Sequence, residues 1–269
     1  GTASTPTTPN YNTGDGMAPN AQILFQDLGN DINGCLSGVG GLPMWQQARA
    51  AGAYISSNSY GSNFSGAYTS SDADVDQALW LNDDMLIAFS AGNDGAGAST
   101  IGHPAHSKHA LTVGALGSGN STTVASFSSR GPTSDGRRKP DIMAPGTLVS
   151  ARGNTENSNP PANPDQATTS TLSGTSMSTP AVAGGAALLR QYFTDGFYPT
   201  GVKTAANARK PLGAEMKALL TNGTAFINTT PGNAYGWGRI WLDNNLYFQG
   251  AAGENRDLRT FARQQATGL

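Results

Sequence analysis

Short apolar runs that alternate with stretches of helical period constrain this chain more than any other feature. Met85-Leu86-Ile87-Ala88-Phe89 is a continuous apolar run that ends in Ala91-Gly92-Asn93. Residues 21–26 (Ala-Gln-Ile-Leu-Phe-Gln) read as a buried strand. Tyr54-Ile55 opens another, which ends at Asn58-Ser59-Tyr60-Gly61, and Leu111-Thr112-Val113 is a further short one. Between them, residues 43–51 read as a short helix with proline near its start. Ser71 is placed to cap a helix through Leu81. Residues 173–193 form the longest helical stretch, and residues 213–220 another. Strands alternating with helices imply βαβ units, hence an α/β fold with a mostly parallel sheet. Such sheets carry their sites outside the carboxyl ends of the strands.

Length and charge narrow the options. The 269 residues fit one large domain, or one domain with a piece of a second. Sixteen Lys and Arg against eighteen Asp and Glu leave a net charge of −2, which argues against nucleic acid or an acidic membrane surface as partner. No apolar run reaches about eighteen residues, so nothing is expected to span a membrane. The single cysteine, Cys35, excludes an intrachain disulfide. It stands in a glycine-rich loop with no local base and reads as a small turn residue rather than a nucleophile. Residues 1–15 and 153–170 read as loops.

The acidic triplet Asp72, Asp74, Asp76 has the spacing that opens a calcium loop. The sixth position is Gln77 where that loop needs glycine, and the twelfth is Asp83 rather than glutamate. Carboxylates favoured at a helix N-terminus account for the triplet better.

Two segments carry chemistry. Ser173-Gly174-Thr175-Ser176-Met177-Ser178-Thr179-Pro180-Ala181-Val182-Ala183-Gly184 would open a helix on a serine, where backbone N–H groups and the positive dipole end meet developing negative charge. Gly174 permits close approach of a substrate backbone. Pro180 is expected in the first turn or so. Ala181, Ala183, Gly184 and Gly185 would let the helix lie close to the sheet. Upstream, Phe89-Ser90-Ala91-Gly92-Asn93-Asp94-Gly95 follows a buried strand and offers an asparagine amide at its carboxyl end.

These segments resemble the subtilases, the subtilisin-like serine proteases of peptidase family S8. Gly174-Thr175-Ser176-Met177-Ser178-Thr179-Pro180 is similar to the nucleophile motif, and the asparagine segment is similar to the oxyanion-hole segment. The resemblance implies Ser176 as nucleophile and Asn93 as donor to the tetrahedral intermediate, together with the Ser176 N–H. It implies the subtilisin-like three-layer fold and a polypeptide substrate bound by Ser59, Gly61, Ser90, Ala91, Gly92, Gly174 and Thr175. The small residues among these suggest an open S1 pocket for large apolar side chains. Weaker similarities follow in chain order: Gly16-Met17-Ala18-Pro19, Ser126-Phe127-Ser128-Ser129-Arg130-Gly131-Pro132, Lys139-Pro140-Asp141-Ile142-Met143-Ala144-Pro145-Gly146, and the closing Gly236-Trp237-Gly238-Arg239. The chain is most similar to the KP-43-like alkaline subtilases, whose loops resemble Gly38-Val39-Gly40-Gly41-Leu42-Pro43. The resemblance also implies secretion, no cofactor for catalysis, and structural calcium whose ligands the sequence does not place.

Residues 1–246 are read as the catalytic domain without its N-terminal part, and 247–269 as a linker or the start of a C-terminal β-domain. Asn245-Leu246-Tyr247-Phe248-Gln249-Gly250 resembles a viral-protease tag site, but it continues the closing segment. The family's triad runs Asp, His, Ser, and its His stands shortly before the Gly-Met-Ala-Pro turn. Both acid–base residues are therefore expected upstream of Gly1. His103, His106 and His109 read as loop residues rather than as a substitute base or a metal site. Other readings are a peptide-binding pseudoprotease, or a piece completed by a separate N-terminal segment or a propeptide.

Overall fold

The computed structural model describes residues 16–28, 36, 41–63, 66–151 and 169–250. Cys35, Gly38, Val39 and Gly40, and residues 1–15, 152–168 and 251–269, lie outside them. Four parallel strands form the central sheet in the order β1 (Ile55–Asn58), β3 (Leu86–Ser90), β5 (Leu111–Leu116), β6 (Ile142–Pro145). Parallel pairing needs a crossover between neighbours. The crossover from β1 to β3 carries α2 (Ser70–Leu81), and α1 (Leu42–Ala50) precedes β1.

The sheet is covered on both faces, which is why β3 reads as an unbroken apolar run. Leu86 and Ala88 face a core with Leu111, Val113, Ile142 and Ala144, and with Val182, Ala186, Leu189 and Phe193 of α3 (Thr175–Thr194) and Met216, Leu219 and Leu220 of α4 (Gly213–Asn222). Met85, Ile87 and Phe89 face a second core built on Trp45 and Ala48 of α1 and Val75 and Ala78 of α2. The expected three-layer architecture is present.

Several expectations need correction. Residues 21–26 form no strand: Ile23 and Phe25 are 88% and 83% exposed, and residues 21–28 have no pairing partner. An apolar run becomes a strand only where a neighbour accepts its ladder, and no described strand lies beside this one. Gln26 instead ties the segment to α1, donating to the Met44 carbonyl at 3.0 Å. The cap of α2 is Thr69, not Ser71. Asp72, in the first turn, accepts from both the Thr69 N–H and its hydroxyl at 2.8 Å. Residues 169 and 170 belong to a strand, β8 (Thr169–Ser173), paired antiparallel with β7 (Thr147–Ala151), so α3 starts at Thr175 rather than Ser173. Gly184 and Gly185 do not serve the sheet. A Cβ at Gly184 would sit 2.6 Å from Met17 Cβ, and one at Gly185 2.7 Å from the end of Ile240. The two glycines make room for the Met17 turn and for the closing segment.

That closing segment is integral to the fold. The Met143 N–H donates to the Gly238 carbonyl and the Ile240 N–H to the Met143 carbonyl, which extends the edge of the sheet past β6. Packing continues beyond residue 246. The Tyr192 hydroxyl donates to the Tyr247 carbonyl at 2.8 Å, and Phe248 packs edge-on against Tyr192 and Phe197. Tyr247 and Phe248 thus pack against α3 and Phe197.

Candidate active site

The carboxyl end of β3 turns sharply at Gly92, whose φ of +109° is open to glycine. A Cβ there would also meet Ser129 Oγ at 2.8 Å. The segment 126–131 braces this turn. The Ser129 N–H donates to the Gly92 carbonyl, Ser129 Oγ accepts from the Asp94 N–H at 3.0 Å, and the Gly95 N–H donates to the Phe127 carbonyl. Ser128 Oγ in turn accepts from the Ala115 N–H on β5. The serine pair of that motif thus locks the asparagine turn to the sheet. Its sequence singles it out as characteristic, but its task appears only once β3 and β5 are side by side.

From the other wall comes the N-terminus of α3. Gly174 holds φ +155°, ψ 162°, and Thr175 begins the helix. The Thr175 N–H and hydroxyl both donate to Asn93 Oδ1, at 2.9 and 3.0 Å. A backbone N–H can only donate, so the oxygen of the Asn93 amide must face Thr175, and its Nδ2 is turned away toward the cleft. Thr175 Oγ1 also accepts from the Gly92 N–H at 3.3 Å. The position a Cβ on Gly174 would take lies 3.6 Å from Asn93 Nδ2 and 3.6 Å from the Ser176 N–H nitrogen. Both donors border the spot beside Gly174, where a Cβ would make ordinary contact with each; it is the φ of +155° that disfavours a side chain at 174. Ser178 looks inward, donating to the Ala144 and Pro145 carbonyls, and so ties α3 to the end of β6.

A cleft of about 340 Å³ lies over these groups. Of the residues expected to form the site, Ser59, Gly61, Ser90, Gly92, Asn93, Thr175 and Ser176 line it. Ala91 does not: it is fully buried among Phe89, Ile101 and Ala105. Gly174 acts from behind the lining. Tyr60 lines it with its neighbours, as expected of that strand end, and Ser62, Asp94 and Gly102 line it without having been singled out as site residues in the sequence. Gly102 arrives through β4 (Gly102–His103), which pairs with β2 (Ser62–Asn63). A Cβ at Gly61 would sit 2.9 Å from the His103 carbonyl oxygen, so that close pairing uses the glycine.

None of the three histidines lines this cleft. His103 borders an adjoining depression of about 210 Å³, with its ring nitrogens 2.8 Å from Ser62 Oγ and 3.1 Å from Thr69 Oγ1. His106 is fully buried, and burial pushes its imidazole below the ordinary value. His109 Nδ1 stands 3.0 Å from Asp76 Oδ1. The acidic triplet is dispersed as well. Asp72 caps α2. Asp76 is a hub that accepts from Tyr68 OH, Ser107 Oγ and the Lys108 and His109 N–H groups. Burial alone would raise the Asp76 carboxyl, but these donors hold it below its ordinary value. Among the described residues, no three His, Cys, Asp or Glu side chains gather to hold a metal ion. The calcium expected from the resemblance therefore has no carboxylate cluster there.

A parallel α/β sheet that presents a serine at a helix N-terminus, opposite an anchored asparagine, places a hydroxyl and an amide in one cleft at the carboxyl end of the strands. Comparison with known proteins makes this specific. The subtilase family, Peptidase S8, matches residues 1–238, and the chain belongs to that family. It is 38% identical over 176 residues to the serine protease AprX of Bacillus subtilis (strain 168), covering 60% of this chain and 35% of that protein. It is 34% identical over 179 residues to subtilisin BL of Lederbergia lenta, covering 65% and 56%. A match to the serine protease/ABC transporter B family protein tagB of Dictyostelium discoideum is 39% identical over 48% of this chain and 8% of that protein. The chain thus matches just over half of subtilisin BL and smaller shares of the other two. Among solved structures, the prenylagaramide maturation protease PagA superposes with a TM-score of 0.60 at 25% identity, over 81% of this chain and 70% of that one. The patellamide maturation protease PatA, at 24% identity and a TM-score of 0.55, shares the fold. Among the described residues no helix is long and apolar enough to cross a membrane.

Proposed function

We propose that the chain is the core of a serine endopeptidase that cleaves polypeptides through an acyl-enzyme on Ser176, with Asn93 in the oxyanion hole. One observation carries the reading: Asn93 Oδ1 is held by Thr175, so Nδ2 and the Ser176 N–H flank the same space. In this mechanism Ser176 Oγ attacks the scissile carbonyl as a base takes its proton. The carbonyl electron pair moves onto oxygen, where the two N–H donors stabilise it. Collapse breaks the C–N bond as the base returns the proton to the leaving amine, and water then hydrolyses the ester. The glycine-lined wall at Gly61, Gly92 and Gly102 suits a large apolar P1 side chain.

A serine hydroxyl needs an adjacent base. None of the three histidines lines the cleft, and His103, the nearest, is engaged with Ser62 and Thr69, so the base and its orienting Asp are assigned, by family resemblance, to a segment preceding Gly1. Secretion belongs to the same reading. A pseudoprotease is not favoured, because it would need neither Ser176 nor the anchored Asn93 beside it.

The test uses the protein with its natural upstream sequence. Ser176→Ala should abolish turnover of a chromogenic peptide, and a serine-directed phosphonate should label Ser176 alone. The 269-residue chain by itself should hydrolyse peptides barely above background. Labelling of Cys35, full activity of the alanine variant, or robust turnover by the 269-residue chain would each overturn part of this assignment.

A further inference from the structure

Pro180 is the sixth residue of α3, past the first turn in which the sequence placed it and where a missing N–H would cost nothing. In an α-helix the N–H of residue i bonds the carbonyl of residue i−4, so residue 180 should serve the carbonyl of Ser176. Proline has no N–H to give. The carbonyl that loses its donor is thus that of the serine on which the proposed chemistry depends. It does not go without a partner. Ser59 Oγ, 117 residues away and just past the end of β1, donates to the Ser176 carbonyl oxygen at 3.0 Å. Ser59 and Ser176 both line the cleft, where the end of β1 and the start of α3 adjoin.

We infer that Ser59 is a positioning residue for Ser176: its hydroxyl supplies, from the end of β1, the hydrogen bond that Pro180 withholds from the helix. The bond fixes the peptide plane following Ser176, and with it the backbone that aims Ser176 Oγ into the cleft. It also sets the spacing between the end of β1 and the start of α3. The neighbouring backbone is held separately, since the Thr175 N–H is bound by Asn93 and the Thr175 carbonyl accepts from Thr179 Oγ1 at 2.9 Å. The Ser176 carbonyl is the point in this turn whose donor comes from the end of β1. The catalytic consequence rests on the function proposed above; the hydrogen bond and its exchange with Pro180 do not.

The two residues make a double-mutant cycle. Pro180 is exposed, so Pro180→Ala leaves the core untouched and restores an N–H at the right place. In the protease with its natural upstream sequence, Ser59→Ala should lower kcat about tenfold with KM little changed, the cost of one well-placed hydrogen bond. In the Pro180→Ala background the same change should cost about twofold or less, because the helix then supplies the donor. Equal losses in both backgrounds, or a loss confined to KM, would overturn the inference. A second readout needs no activity. Amide hydrogen exchange at residues 176–179 of the 269-residue chain should accelerate in Ser59→Ala and return toward the parent rate when Pro180→Ala is added. Unchanged exchange in Ser59→Ala overturns the inference even if Ser176 proves to be the nucleophile. Accelerated and rescued exchange in a chain that never hydrolyses peptides would sustain it while removing the proposed function.

Discussion

Two polar hubs in this molecule use the same chemistry to different ends. In the frame, Asp141 accepts from Lys139 Nζ at 2.7 Å and from the Thr112 N–H at 2.8 Å, deep behind β5 and β6. Lys139 also donates to the Ala110 carbonyl and Thr112 Oγ1, and Lys217 Nζ stands 3.4 Å from Asp141. Burial pushes Lys139 down to about 8, opposed by the Asp141 charge. Burial would raise Asp141, but the charges of Lys139 and Lys217 hold it below its ordinary value. At the cleft, the Asn93 amide is bound on one side and open on the other. In the frame hub the Lys139 ammonium has all three donors taken by the protein, whereas the cleft hub keeps one end for a ligand. A closed hub stabilises the fold; a half-closed one aims a donor at the cleft.

That contrast yields tests in descending order of effect. Asp141→Ala leaves the Lys139 ammonium buried without its partner and should destabilise the domain by about 3–5 kcal/mol, read by urea unfolding. A loss below about 1 kcal/mol would show that the frame hub is not closed. Asn93→Ala should do the opposite. It should lower kcat by about 10²–10³, or about 2.7–4 kcal/mol, the loss known for removing one oxyanion-hole donor from a subtilisin. Its unfolding midpoint should move much less than that of Asp141→Ala. A pure KM effect would make Asn93 a substrate-positioning group instead.

Asp76 sharpens the distinction through pH. Its carboxyl lies below the ordinary value in the folded state, so its contribution is fully present above the unfolded value of about 4 and is lost as pH falls through the folded one. Asp76→Asn should therefore cost about 1–2 kcal/mol at pH 6, with the gap to the parent closing below about pH 4 in thermal melts. A gap independent of pH would assign the loss to packing. Smallest of all, Ser178→Ala removes a hydroxyl shared between two carbonyls and should cost about 1 kcal/mol or less, with kcat nearly unchanged.

Much of the site was legible in the sequence because it depends on local backbone needs. Gly174 and Gly92 occupy φ values that favour glycine, and the serine and asparagine each stand directly beside one. Three of the four parallel strands, β1, β3 and β5, were legible from short apolar starts or runs, and the helices from their period; β6 was legible only as a motif. The partners were not legible. The Ser128-Ser129 brace, the Thr175 grip on Asn93, the Asp76 hub and the Ser59 donor join residues 8 to 117 positions apart. No spacing rule connects such pairs before the chain is closed.

The apolar runs at 21–25 and 85–89 show where local reading stops. Both look like buried strands. Residues 85–89 are buried on both faces between β1 and β5, whereas Ile23 and Phe25 stand exposed with no described strand beside them. The sequence determined which segments could extend, which could coil, and where only glycine could turn, because those are properties of each residue's own backbone and side chain. Tertiary structure decided which extended segment was paired, which end of the Asn93 amide faced the cleft, and which hydroxyl reached the Ser176 carbonyl. A hydrogen bond and a buried face each need a second surface, and a chain acquires that surface only by folding.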